Sequence, residues 1–302
     1  MAIEIKHLTK EFGPKVAVND LSLTLNDGQV LGLIGQNGAG KTTTFRMLLD
    51  FIKPDHGTIL FDGQPITQAI RKKIGFLPEE RGLYQKWTIE QQMLYFGELH
   101  GMKANTIKSE LKRWLKRLEV VGKPNDKVQT LSKGNAQKVQ LIATLIFQPQ
   151  LLILDEPFTG LDPVNTSLMM REIKQFSDEG ARIIFSAHNM ASVESLSDHL
   201  LMLKNGNTVL SGATNVIRES FGRTRIYLES PISDAELLGI EGVISITPSN
   251  LGRMLKISDE AVGRVVFERV TSSTNYVPAF MQTPPSLDEI FRTEVAATEV
   301  KL

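Results

Sequence analysis

The chain has 302 residues, 41% hydrophobic and 23% charged, enough to bury a sizeable core and to divide into two domains. Lys plus Arg and Asp plus Glu both number 34, so no global basic field holds nucleic acid or an anionic membrane surface, and recognition has to be local. The absence of cysteine excludes disulfides, thiolate metal sites and thiol catalysis, and the longest apolar runs, such as Leu151 to Leu154, fall far short of the roughly 20 residues of a membrane helix.

The opening, MAIEIKHLTKEF, alternates charged with apolar residues; it reads as a strand and lacks the apolar stretch of a signal peptide. Leu21, Leu23 and Leu25 alternate with Ser22 and Thr24, Asn26-Asp27-Gly28 supplies a turn, and Gln29 to Ile34 forms a second, largely apolar strand. That strand leads into Gly35-Gln36-Asn37-Gly38-Ala39-Gly40-Lys41-Thr42, which matches G-x-x-x-x-G-K-[ST]. Residues 42–51 then have helix-forming content until Pro54 ends it. Glycines let backbone N–H groups turn inward around phosphates, and the helix that follows adds the positive end of its dipole. In that chemistry Lys41 reaches the β- and γ-phosphates and the Thr42 hydroxyl ligates Mg²⁺.

From Thr88 the pattern turns helical. Thr88 and Gln91 fit a capping box, with Ile89, Met93 and Phe96 on one face. A second helix carries Ile107, Leu111, Trp114, Leu115 and Leu118, and a third turns Val139, Ile142, Ala143 and Ile146 inward. The three predict a helical lobe, about 80–147, inserted in an α/β core. The third helix begins in LSKGNAQKV, with Ser132 as its cap. A helix start exposes unpaired N–H groups and about half a positive charge, so it attracts an anion.

The core resumes with LLILD. Four apolar residues followed by Asp155-Glu156 put carboxylates at the C-terminal edge of a buried strand, where α/β sheets present their ligands. Asp155 would hold Mg²⁺ through its water shell, and Glu156 would polarise the attacking water as general base. Asp162-Pro163 starts a helix that Gly180 ends, and Arg182 to Ser186 forms the next strand. His188 emerges after it on the same sheet edge, where a neutral imidazole can orient water and touch a γ-phosphate. Strands alternating with helices predict a mostly parallel sheet.

Beyond Phe221-Gly222 come short apolar stretches at Ile226 and Leu228, Val243 to Ile246, Met254 to Ile257 and Val265 to Val270. A final helix has Ser286 and Glu289 as its capping box and Leu287, Ile290, Phe291 and Val295 as its stripe. This predicts a small α+β domain over 222–302, with no chemical constellation of its own.

Together these residues resemble the nucleotide-binding subunit of ATP-binding cassette (ABC) transporters, over roughly residues 1–220. The resemblance implies an α/β P-loop NTPase cassette over 1–221, with a RecA-like core, an antiparallel β subdomain and the helical subdomain. It implies Walker A at Gly35 to Thr42, with Thr43 also at the nucleotide, and Walker B at Leu151 to Asp155. Glu156, His188 and Lys41 would be the catalytic groups. Thr159-Gly160-Leu161-Asp162 would be the D-loop, with Asp162 at the nucleotide, and Phe12 the aromatic that stacks on adenine.

Leu131-Ser132-Lys133-Gly134-Asn135 resembles the signature LSGGQ, departing from it at Lys133 and Asn135. The resemblance implies that Ser132, Gly134 and Asn135 bind the γ-phosphate held by a second cassette, identical or different, so that two chains enclose two ATP molecules with Mg²⁺. Glu79 stands where the family usually has glutamine, beside the metal. PEERGLY and SLDEIF resemble a bacterial subgroup of exporter ATPases, sodium-efflux members among them, that pair with ABC-2-type permeases and carry a short C-terminal domain. That implies a permease contacting Glu79 to Tyr84, a peripheral seat on the cytoplasmic face of the membrane, and no nucleic-acid partner. The rival reading is a soluble ABC ATPase acting on a ribosome or DNA; a single Walker A, and only about 90 residues between it and the signature, favour transport.

Overall fold

In the computed structural model, which describes residues 2–80, 82–274 and 276–296, β1 (Ala2–Phe12) turns back on β2 (Lys15–Asn26) in an antiparallel register that sets Ile3 opposite Leu25 and Ile5 opposite Leu23. The leucine alternation resolves into buried Leu21 and Leu25 with Leu23 half-buried. β3 (Val30–Ile34) is buried at every residue and runs into the glycine loop and α1 (Lys41–Leu48). β4 (His56–Phe61) and β5 (Gln64–Pro65) join the first pair to make a four-stranded sheet ordered β2-β1-β4-β5. A short α2 (Gln68–Arg71) leads to β6 (Ile74–Leu77).

The lobe follows as α3 (Ile89–Leu99), α4 (Ala104–Arg117) and α5 (Lys133–Leu145). Thr88 and Gln91 form both halves of their capping box, Met93 and Ile107 are fully buried, and Phe96 is half-buried. Then come β7 (Leu151–Leu154), α6 (Pro163–Asp178), β8 (Arg182–Ser186), α7 (Met190–Leu196), β9 (His199–Lys204) and β10 (Asn207–Ala213). The central sheet is ordered β10-β9-β3-β8-β7-β6, with parallel pairing from β9 across to β6. Its core joins Leu31, Leu33, Ile153 and Ile184 to Phe45 and Leu48 of α1 and to Ile3, Ile5 and Leu21 of the first sheet. Each such side chain contributes about 1.5–3 kcal/mol by leaving water, so the glycine loop is anchored at both ends in rigid packing.

The chain divides into two compact units between Gly212 and Ala213. α8 (Thr214–Glu219), which the sequence placed ahead of a 221/222 boundary, falls with the second unit, where Arg218 Nε donates to the Pro285 carbonyl at 3.3 Å. The second unit continues through β11 (Arg225–Glu229), α9 (Asp234–Leu238), β12 (Val243–Ser249), β13 (Gly252–Ile257), α10 (Ala261–Ser273), β14 (Ala279–Thr283) and α11 (Leu287–Ala296). Its sheet is antiparallel, ordered β12-β13-β11-β14. The apolar run Val265 to Val270 belongs to a helix: Val262, Val266 and Val270, spaced by four, are buried with Ile226 and Leu255, while Val265 is exposed. The Ser286 and Glu289 box forms, each backbone N–H donating to the other's side chain at 3.0 and 3.3 Å. No helix among the described residues is long and apolar enough to cross a membrane.

Candidate active site

The loop after β3 closes one wall of a cavity of about 470 Å³. Two of its glycines are required by close approach. A Cβ on Gly35 would lie 2.4 Å from the Leu203 carbonyl oxygen, and one on Gly40, whose φ is +114°, would lie 2.5 Å from that of Ala17. Asn37 to Thr43 line the cavity, facing Phe12, Glu79, Asp155, Glu156 and His188. Gly35 and Gln36 lie beneath: their carbonyls accept hydrogen bonds from Lys41 Nζ at 2.6 and 3.2 Å. Burial holds the Lys41 ammonium below its ordinary pKa, against the pull of Glu156, Asp155 and Glu79. It is a cation parked on carbonyls beside a cavity with no anion of its own loop, a geometry that a phosphate would reverse.

The acids are set by the sheet. β7 and β8 pair Leu154 with Phe185, so the next residues, Asp155 and Ser186, are neighbours across the strands. Ser186 Oγ donates to Asp155 Oδ1 at 2.6 Å and accepts the Glu156 N–H at 3.0 Å. Glu156 has a left-handed backbone, φ +50°, a conformation that costs a non-glycine residue about 1–3 kcal/mol; the Ser186 bond helps to hold it. Its Oε2 accepts the His188 N–H at 3.1 Å and the Thr159 hydroxyl at 3.4 Å. Oε1 is buried without a hydrogen bond, 3.4 Å from His188 Nε2. Burial raises the Glu156 pKa, while the His188 side chain, its N–H and Lys41 lower it. A carboxylate oxygen with a free lone pair can accept a proton.

Thr42, Glu79 and Asp155 bring oxygen donors to the same cavity. Hard oxygen donors fit Mg²⁺, which keeps several waters and binds through one or two carboxylates plus phosphates. No group of three or more His, Cys, Asp or Glu among the described residues forms a dedicated metal cage. Phe12, the last residue of β1, is 50% exposed on the rim with Lys10 Nζ 5.4 Å from its ring centre; an aromatic kept out of the core can stack on a base.

The remaining expected residues stand apart. Ser132 caps α5, its Oγ accepting from Asn135 N at 3.3 Å and Asn135 Nδ2 at 3.0 Å. Asn135 Oδ1 accepts the Val121 N–H at 2.9 Å. A Cβ on Gly134 would meet Leu161 and Asn165, and one on Gly160 would lie 2.2 Å from Lys133 Nζ, so Lys133 lies along the Thr159 to Asp162 loop. Asp162 caps α6 through Asn165 N at 2.9 Å, and this hydrogen bond lowers its carboxyl pKa. None of Ser132, Gly134, Asn135 or Asp162 lines the phosphate cavity. Sequence reasoning missed Ser186 and also Lys15 and Ala17, which complete the cavity wall. Aligning the two parallel strands would have found Ser186.

The chain matches the family described as ABC transporter over residues 18–159, and the ATP-binding protein DrrA1-3-like C-terminal domain over 212–295. It is 39% identical to the ABC transporter ATP-binding protein YhaQ of Bacillus subtilis, over 98% of this chain and 99% of that one. Against the Nod factor export ATP-binding protein I of Burkholderia lata it is 36% identical, over 72% of this chain and 73% of that protein. A solved structure of the ATP-binding subunit of an ABC transporter superposes with a TM-score of 0.68 at 27% identity, covering 73% of this chain and 93% of the other.

Proposed function

Because the chain belongs to the ATP-binding subunits of ABC transporters and is an ATPase, we propose that it pairs with a second cassette around two Mg²⁺-ATP and drives export through a separate ABC-2-type permease. The adenine stacks on Phe12, and the loop N–H groups from Asn37 to Thr43 take the phosphates. Lys41 exchanges the Gly35 and Gln36 carbonyls for the β- and γ-phosphates. Thr42, Asp155 and Glu79 hold Mg²⁺, which neutralises phosphate charge. Glu156 takes the proton of the attacking water at its unbonded Oε1, and His188 steadies that water and the γ-phosphate.

One observation carries the two-chain reading: the cavity gathers Lys41, Asp155, Glu156 and His188 but nothing from the Ser132 turn, which offers a helix start where an anion is wanted. The partner's γ-phosphate is that anion, met by Ser132, Gly134 and Asn135, with Asp162 beside it. ATP then joins the pair and hydrolysis releases it.

Export is supported by the Nod factor export relative. The permease docks beside Glu79 to Tyr84, where an apolar groove of about 360 Å³ is lined by Pro78, Gly82, Leu83, Phe96 and Phe147; Arg81, in the same segment, lies outside the described residues. The protein thus works at the cytoplasmic face of the membrane. Tagged chain purified from detergent-solubilised membranes of its own cells is expected to bring down a multi-spanning membrane protein; recovery solely with ribosomes or nucleic acid would contradict the proposal.

Glu79→Gln is expected to keep ATP turnover within about threefold, because an amide oxygen also approaches Mg²⁺. A fall to background in a steady-state phosphate-release assay would show that the charge itself is needed.

A further inference from the structure

Helix α5 is buried from Ala136 to Leu145, and three of its polar side chains reach backbone carbonyls of segments that belong to other strands. Gln137 Nε2 donates to the Pro157 carbonyl at 3.1 Å, one residue past Glu156. Gln140 Nε2 donates to the carbonyls of Pro78 at 3.1 Å and Glu80 at 3.4 Å, which flank Glu79. Thr144 Oγ1 reaches the Phe76 carbonyl at 3.4 Å. Gln140 is 4% exposed and its Oε1 is buried with no partner. An amide buried with one oxygen unsatisfied is worse for stability than a leucine of similar size, so its use lies in the two carbonyls that its NH₂ group holds.

The far end of the same segment is held from α3. Gln92, fully buried, donates from Nε2 to the Tyr84 carbonyl at 2.7 Å and accepts the Tyr84 N–H at 3.4 Å. The Tyr84 ring lies 4.5 Å from that of Trp87. Pro78 and Glu80, on either side of Glu79, are therefore held by one buried amide and Tyr84 by another, and the first sits on the helix that begins at Ser132. Eight residues of α-helix, about 12 Å, separate Ser132 from Gln140.

We propose that Gln140 is a positioning residue that ties the Glu79 segment to α5, so that a partner-held phosphate engaging the Ser132 turn moves that segment. The phosphate pulls on the helix start, the helix moves as a rod, and the Pro78 and Glu80 carbonyls follow the Gln140 amide. Glu79 is thereby carried relative to the metal, and Tyr84 and Trp87 relative to the groove. Gln137 holds the segment after Glu156 in the same way. The proposal rests on the two-chain reading above.

The chain has two tryptophans. Trp87 is 36% exposed at the end of the Glu79 segment, and Trp114 is buried in α4. In a Glu156→Gln, Trp114→Phe protein, Mg²⁺-ATP is expected to produce a dimer and a change in Trp87 emission. Adding Gln140→Leu, or Gln140→Met should the first destabilise the fold, is expected to leave the dimer mass unaltered and cut the emission change at least threefold, with thermal melts confirming the fold. A purely structural glutamine would lower the melting temperature without separating dimer formation from the Trp87 response. A dimer whose Trp87 emission never responds, or responds equally with Leu or Met at 140, overturns the proposal alone. A parent that stays monomeric in Mg²⁺-ATP overturns the two-chain reading, and this proposal with it.

Discussion

Glu156→Gln is expected to lower steady-state ATP turnover by about 10²–10⁴-fold, the usual contribution of a positioned general base, while nucleotide affinity stays near that of the unaltered chain. The amide keeps the size of the side chain, and its oxygen can still accept the His188 N–H that Oε2 accepts at 3.1 Å. It cannot take a proton from water. The pH profile carries the same signature. Burial raises the Glu156 pKa above the ordinary carboxyl range, with His188 and Lys41 opposing, and only the ionised form acts as base. Turnover is therefore expected to be full on the alkaline side and to fall, as pH drops, at a pH above that of a free glutamate. Phosphate release measured across pH checks this; an acid limb at or below the ordinary glutamate range would assign the base elsewhere.

Ser132→Arg is expected to abolish turnover while each chain still binds ATP. Ser132 is outside the phosphate cavity, so its own nucleotide is untouched. The loss of the cap on Asn135 N costs about 1 kcal/mol, too little to unfold the unit. On the two-chain proposal, arginine blocks the helix start that meets the partner's phosphate. Lys41→Ala has the complementary defect, losing the grip on its own nucleotide. In a mixed pair one site carries both lesions and the other carries neither. Random mixing of equal amounts should thus restore about a quarter of the unaltered turnover per chain, as two-fold pairing requires. Mixtures no more active than the separate variants would contradict a site shared between chains.

Much of this was legible because it is local. Strand, glycine loop and helix follow one another within residues 29–51, and the acids stand directly after four buried residues, so spacing alone brought them to one sheet edge. The cassette fold and the family resemblance rest on these same segments, and the structure and relatives agree with them. What escaped notice acts across elements. Ser186 reads as the polar end of an apolar strand until β7 is set beside β8. Gln92 and Gln140 sit at inward helix positions where a sequence reader expects leucine, and only the carbonyls of Tyr84, Pro78 and Glu80 explain them. Val265 to Val270 is too short for periodicity to separate strand from helix; the spacing of Val262, Val266 and Val270 against the sheet decides it.

The proposed grip on ATP comes from two sides, the Lys41 loop of one chain and the Ser132 turn of another. Its most direct test is the mass in solution of purified Glu156→Gln protein, by light scattering, with and without saturating Mg²⁺-ATP. The expected result is the 33.6 kDa chain alone without nucleotide and twice that mass with it. A species that remains a single chain in Mg²⁺-ATP, in the presence of its membrane partner as well as without it, would contradict it.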